Sequence, residues 1–330
     1  MIETDLAVDF LSGVERSLQH WLARWRQPAD HLALQPLWGH ALRALWWAAT
    51  TGACLPLAVD LAIALHSDMM YSGQWQEWKA CLVRLAPAAA DQVDAARLFE
   101  LLHRLATMCF RQGDLDEALT WGEHVLALAA AGQDRVGQVI AANLLAEIYL
   151  AAEHFAPAQV YAEQAVALAA AGGDAPRRAD ALINRARVHL EAAVAAAGGL
   201  AAVELQPLTA AQTAALEAWL HEALALVQAS GDRAYETKAH LFLYHALAAR
   251  GQWTQALWRA QTALSLVESY GDDAGRGVVL YAVGRSLAGL GRRTEAIEAL
   301  QTSISIHEHH GNRPAQQNTQ RRLERLLQLS

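Results

Sequence analysis

Positive charge, cysteine, proline and long unbroken apolar runs are all scarce in this chain, and each shortage excludes something. Lys and Arg number 26 against 34 Asp and Glu, a formal net charge of −8. The attraction to phosphate backbones that supports nucleic-acid binding is therefore missing at whole-chain level. Three scattered cysteines, Cys54, Cys81 and Cys109, match neither a disulfide framework nor a CxxC metal pair, and read as small core residues. The most apolar stretches are broken by Asp60 or Glu191 before bilayer-spanning length, and the opening MIETDLAVDF carries acids where a secretory signal carries Lys or Arg. A cytoplasmic protein with no membrane and no direct nucleic-acid partner is expected. Only 8 prolines and few β-branched residues, in a sequence dominated by Ala and Leu, point to an all-α fold.

Catalytic signatures are scarce too. There is no GxxxxGK[ST] phosphate loop and no nucleophile elbow around a Ser or Cys, and the carboxylates are scattered as helix-surface charges. Neither an enzyme nor a cofactor is expected. The HEHH run, His307 to His310, lacks HExxH spacing, and His307 and His310 lie one turn apart near a helix end. They read as a solvated cluster that the helix dipole favours, not as a metal site.

What is present is a repeat. Asp or Asn recurs every forty residues at Asn312, Asp272 and Asp232, and again at Asp174, Asp134 and Asp94, with an eighteen-residue slip between the two series. Each can cap the helix that follows it, for about 1 kcal/mol. Gly usually precedes it, as suits a left-handed helix exit, and Pro176 and Pro314 fall where the first helical turn tolerates them. A second break lies mid-unit at Gly73, Gly113, Gly251 and Gly291, with Glu153 in that slot in the third unit. The units are 55–94, 95–134, 135–174, 175–232, 233–272 and 273–312, each a helix, tight turn and helix. Ala106, Ala146, Ala186 and Gly284 share one small slot, and Ala118, Ala158, Ala256 and Ala296 another, where close helix approach is expected. His66 and Tyr244 depart from the first slot and Trp78 from the second, so those hairpins must splay or repack.

Val283-Gly284, Leu287, Gly291, Ala296, Leu300 and Ser303 in the last unit, with similar patterns over about 260 residues, resemble the tetratricopeptide repeat in a long forty-residue form. The resemblance implies a right-handed α-solenoid of stacked hairpins. Residues 313–330 read as its capping helix, with Leu323, Leu326 and Leu327 on one side, Arg321, Arg322 and Arg325 largely on the other, and Glu324 in the small slot. Residues 1–54 are helical but fit the repeat poorly, and 7 of the 11 tryptophans lie at or before Trp78. Through Trp21, Leu42, Ala44-Leu45, Leu57-Ala58, Gly73, Trp75 and Trp78 this region is similar to the segment joining ATPase to repeats in bacterial STAND-type regulators. A tryptophan-rich packing cap for the first repeat is the other reading. The insertion, near 195–212, holds Gly198-Gly199, Pro207 and a capping Thr209; it reads as a tolerated loop or as a docking lip.

In such an array the resemblance places the first helix of every unit on a concave wall. The polar stripe of those helices contains His103, Arg104, Thr107, Arg111, Asn143, Glu147, Asn184, Arg187, Lys238, His245, Tyr281 and Arg285, which are the candidate ligand contacts. Asn side chains donate and accept as a peptide backbone does, and Arg can grip carboxylates bidentately. The same stripe is also what any soluble solenoid needs, and Arg187 with Glu191 is an ordinary i,i+4 pair. The leading expectation is a protein- or peptide-binding scaffold, the sensing arm of a signalling regulator, with an ATPase module in cis or trans. The alternative is a sugar-like small-molecule sensor, for which Trp121, Trp253 and Trp258 are the aromatic candidates, although their slots favour packing.

Overall fold

The computed structural model describes residues 2–26, 37–69, 75–196, 209–310 and 312–328. Gly73, Gly198, Gly199, Pro207 and Gly311 lie outside the described residues. Fifteen α-helices and no strand occur among the described residues. The chain divides into two compact units, Met1–Ala152 and Glu153–Ser330.

The first unit holds α1 (Ile2–Trp25), α2 (Trp38–Thr51), α3 (Leu55–Met69), α4 (Trp75–Ala89), α5 (Ala95–Gln112), α6 (Leu115–Ala131) and α7 (Arg135–Ala151). The second holds α8 (Phe155–Gly172), α9 (Ala175–Ala196), α10 (Ala210–Ser230), α11 (Arg233–Ala249), α12 (Trp253–Tyr270), α13 (Asp273–Gly289), α14 (Arg293–His309) and α15 (Arg313–Gln328). Each helix packs on its sequence neighbour within a unit, and α3 on α5, α5 on α7, α9 on α11 and α11 on α13 also touch, so first helices form a layer of their own.

Local chemistry explains where these helices start. The carboxylates of Asp94, Asp134, Asp174, Asp232 and Asp272 accept from backbone N–H groups two or three residues on, at 2.8–3.1 Å, and the Asn312 amide oxygen does so from Ala315 at 3.3 Å. Thr209 caps α10 with a reciprocal bond to Gln212. The mid-unit turns are equally local: Gly113, Gly251 and Gly291 have φ between 69° and 84°, and Glu153 holds the same left-handed conformation at 59°.

Small residues then let the helices close up. Ala106 and Ala118 are fully buried between α5 and α6, and a Cβ on Gly284 of α13 would come within 2.8 Å of Leu300 Cγ on α14. Gly277 on α13 lies against Ile306 and His307, and its carbonyl accepts from the buried Ser303 hydroxyl at 2.7 Å. His307 is therefore 2% exposed and part of a helix contact. The expectation of a solvated histidine cluster fails for this ring, because the small residue opposite leaves room for an imidazole. His310 does reach solvent and meets Asp273 at 3.1 Å.

The departures from the small slots differ: the Tyr244 hairpin, α11 with α12, stays as close as the others, whereas α3 and α4 approach less closely. His66 and Trp78 occupy facing slots of α3 and α4, both buried, with ring centroids 6.3 Å apart. In α15, Leu323 is buried and Glu324 exposed as expected, but Leu327 is 48% exposed, so that apolar side is narrower than its sequence implies. At the other end α1 packs on α3 and α2 on α4, burying Trp21, Trp25 and Trp38. Packing does not account for Trp46 and Trp47, which are exposed at 42% and 46%.

Candidate binding site

Helix α5 is strongly amphipathic, and burying Leu101, Leu105 and Met108 turns its other stripe outward. There His103 stacks parallel on Phe99 with centroids 6.1 Å apart, and Arg104 pairs with Glu100 at 3.3 Å. Thr107 donates its hydroxyl to the His103 carbonyl at 2.8 Å, so it is engaged within its own helix. Arg111 is exposed in the last turn. Three of these, His103, Arg104 and Arg111, surround His66 of α3. Burial first, and then Arg104, His103 and Arg111, push the His66 imidazole down to about 4, so the ring is neutral at pH 7.

The two candidate asparagines lie one position apart in the repeat register, Asn143 on α7 and Asn184 on α9. Asn143 is 7% exposed and Asn184 6%, which leaves each little surface for a ligand. Glu147 and Arg187, one turn further on, are half-buried. Beside Arg187, the Arg185 guanidinium stacks over the Trp219 ring at 3.9 Å and pairs with Glu163 at 3.1 Å. A half-open cavity of about 330 Å³ adjoins Trp219, with His189, Gln159 and Gln212 in its wall.

A second cluster forms where α11, α13 and α15 meet. Tyr244 is fully buried, and His245 lies beside it with centroids 4.7 Å apart. Enclosure, and then Arg285, lower the His245 imidazole to about 4. Burial pushes the Tyr244 phenol up to about 12, against the opposing pull of Arg285 and Arg322, with Tyr281 also close. Arg285 sits 5.8 Å from the Trp253 ring centroid. Lys238 is apart from this group, exposed and 4.9 Å over the Tyr235 ring.

Two groupings thus emerge from the twelve candidates: His103, Arg104 and Arg111 around His66, and His245, Tyr281 and Arg285 around Tyr244. His66, Tyr244 and Arg322 were not among the candidates. Their signal was available, since His66 and Tyr244 break the small-residue slot of a first helix. Of the other aromatics, Trp253 packs against Gly289, Trp121 is half-buried and Trp258 is 56% exposed beneath Arg259.

Residues 97–171 match the tetratricopeptide repeat family model. No curated protein matches the chain in sequence. Among solved structures, the STAND protein with a tetratricopeptide repeat sensor from Pyrococcus horikoshii superposes with a TM-score of 0.58 at 14% identity, over 93% of this chain and 42% of that one. BtubC from P. vanneervenii gives 0.57 at 18% identity, over 72% and 92%. A Rap protein solved in complex with competence and sporulation factor gives 0.57 at 11% identity, over 96% and 98%. At these identities the likeness is one of fold. Residues 97–171 carry the tetratricopeptide-repeat match, and the fold resembles that of part of the STAND protein.

Proposed function

We propose that this tetratricopeptide-repeat chain is a recognition scaffold, holding a protein or peptide segment along the first-helix face as the sensing arm of a signalling regulator. An ATPase module, in cis or in trans, is the partner such an arm would inform. One observation carries the reading: in a chain of net charge −8, arginines come together near two buried rings, Arg104 and Arg111 by His66, and Arg285 with Arg322 of α15 by Tyr244. Like charges are kept together at a cost, and an acidic or carboxylate-bearing segment offsets it. The Rap structure with competence and sporulation factor supports a ligand-holding role for this fold.

The test begins with the full chain as bait in its own lysate, followed by titration of the captured segment against variants. Arg104→Ala and Arg285→Ala should each weaken binding about 10-fold or more, the loss of one charge-assisted bond. Arg285→Lys should recover part of the loss if charge matters. Unchanged affinity in all three removes these residues from the site. A small-molecule sensor is the second reading, favoured by the cavity beside Trp219; there Trp219→Ala should abolish sugar binding while peptide binding persists.

A further inference from the structure

Of the two exposed tryptophans of α2, Trp47 borders a cleft. It lies between α1 and α2, has a volume of about 530 Å³, and includes Phe10, Gly13, Trp21 and Trp47 in its lining. Phe10 meets Trp47 edge to face at 5.1 Å, and His40 stacks over Trp21 at an interplanar angle of 14°. Phe10 and Trp47 make the apolar wall, and Trp21 is buried beneath His40. The floor is open, because a Cβ built on Gly13 meets nothing within 4 Å.

The rim is polar, and Arg43 is its cation. Ser17, His20, His40 and Arg43 line it, so every ionisable lining residue is basic. Arg43 Nη2 sits 2.6 Å from His40 Nδ1, which fixes that nitrogen as an acceptor and holds the guanidinium at the edge of the cleft. Glu15, on the same helix, is engaged by Gln19 at 3.1 Å rather than by Arg43. Trp46, which would extend the apolar surface sideways, lies beneath the Arg84 guanidinium at 5.0 Å. The apolar area is thereby confined to a concavity whose size suits a small molecule, and its rim complements a negative charge.

We infer that the α1–α2 cleft binds a small carboxylate with a flat apolar body, the body against the exposed Phe10 and Trp47 rings and the carboxylate on Arg43 and the Ser17 hydroxyl. This site does not rest on the first-helix reading above. An aromatic acid satisfies both halves: it covers the exposed Phe10 and Trp47 rings and places its charge beside the Arg43 guanidinium.

Calorimetric titration of the full chain with indole-3-acetate and phenylacetate tests it, with indole-3-acetamide as the neutral control. Both acids should bind, and the amide at least 10-fold more weakly. Arg43→Gln should erase that preference. Gly13→Leu should fill the cleft and abolish binding with no fall in thermal midpoint, since a helical Gly is replaced by a better helix former. Should Gly13→Leu not fold, Trp47→Ser, at an exposed position, takes its place and should abolish binding equally. Acids and amide binding alike, no binding of either acid, or a dimer that Gly13→Leu dissociates would each overturn the proposal, the last by making the cleft a surface for a second copy.

Discussion

Acid should destabilise this protein through its depressed imidazoles, His245 and His307 among them, and most clearly through His66 and His240. His66 and His240 are 7% and 2% exposed, and each is displaced from an ordinary value of 6.5 to about 4. For both, burial is the main cause. His66 also faces Arg104, His103 and Arg111, whereas His240 faces Arg259 and His221, with Glu236 pulling the other way. A depressed folded value means that the unfolded chain binds the proton first. The stabilisation is therefore complete above about pH 6.5 and is lost as pH falls toward 4. At about 1.4 kcal/mol per pH unit, each ring carries about 3 kcal/mol in all, of which about 2 kcal/mol is gone by pH 4.5.

The perturbation is His66→Leu or His240→Leu, read by urea unfolding at pH 7 and pH 4.5. Each variant should lose less on acidification than the parent by about 2 kcal/mol, whatever its stability at pH 7. Because repeat arrays can unfold in parts, ring titration by NMR is the companion measurement, with midpoints expected near 4. Midpoints near 6.5, or a variant with the parent's full acid sensitivity, would refute the assignment of the pH dependence to these rings.

The remaining predictions concern the hairpins. Gly284→Leu should cost about 1–3 kcal/mol or more, since even a Cβ would stand 2.8 Å from Leu300 Cγ and 3.2 Å from the Ala296 carbonyl; an unchanged thermal midpoint would show that α13 and α14 can separate freely. Glu153→Gly should stabilise by about 1 kcal/mol, measured by the same scan, because Glu153 holds a left-handed conformation at φ 59° that only Gly adopts without strain. Asp232→Ala should lose about 1 kcal/mol, since its carboxylate accepts from the N–H groups of both Ala234 and Tyr235; hydrogen exchange at those amides should rise.

Helix starts and turns were legible in the sequence because they are decided within a few residues. An Asp caps the backbone two or three positions on, and the left-handed turn depends on one residue, so a forty-residue rhythm of such signals needs no knowledge of the neighbours. Even the exception at Glu153 falls in its slot. Which polar residues share a site was not legible in the same way. Asn143 and Asn184 lie in the polar stripe yet are mostly enclosed, whereas His66 and Tyr244, read only as misfits, became the centres of the two clusters. His307 shows the same limit: it was expected in solvent and is buried because Gly277, on the preceding helix of its own hairpin, leaves space for it. The α1–α2 cleft had no linear sign beyond an excess of tryptophan. Burial and charge environment depend on the size of residues on other helices, tens of positions away in the chain. Only packing brings those residues within a few ångströms, and so only the tertiary structure decided them.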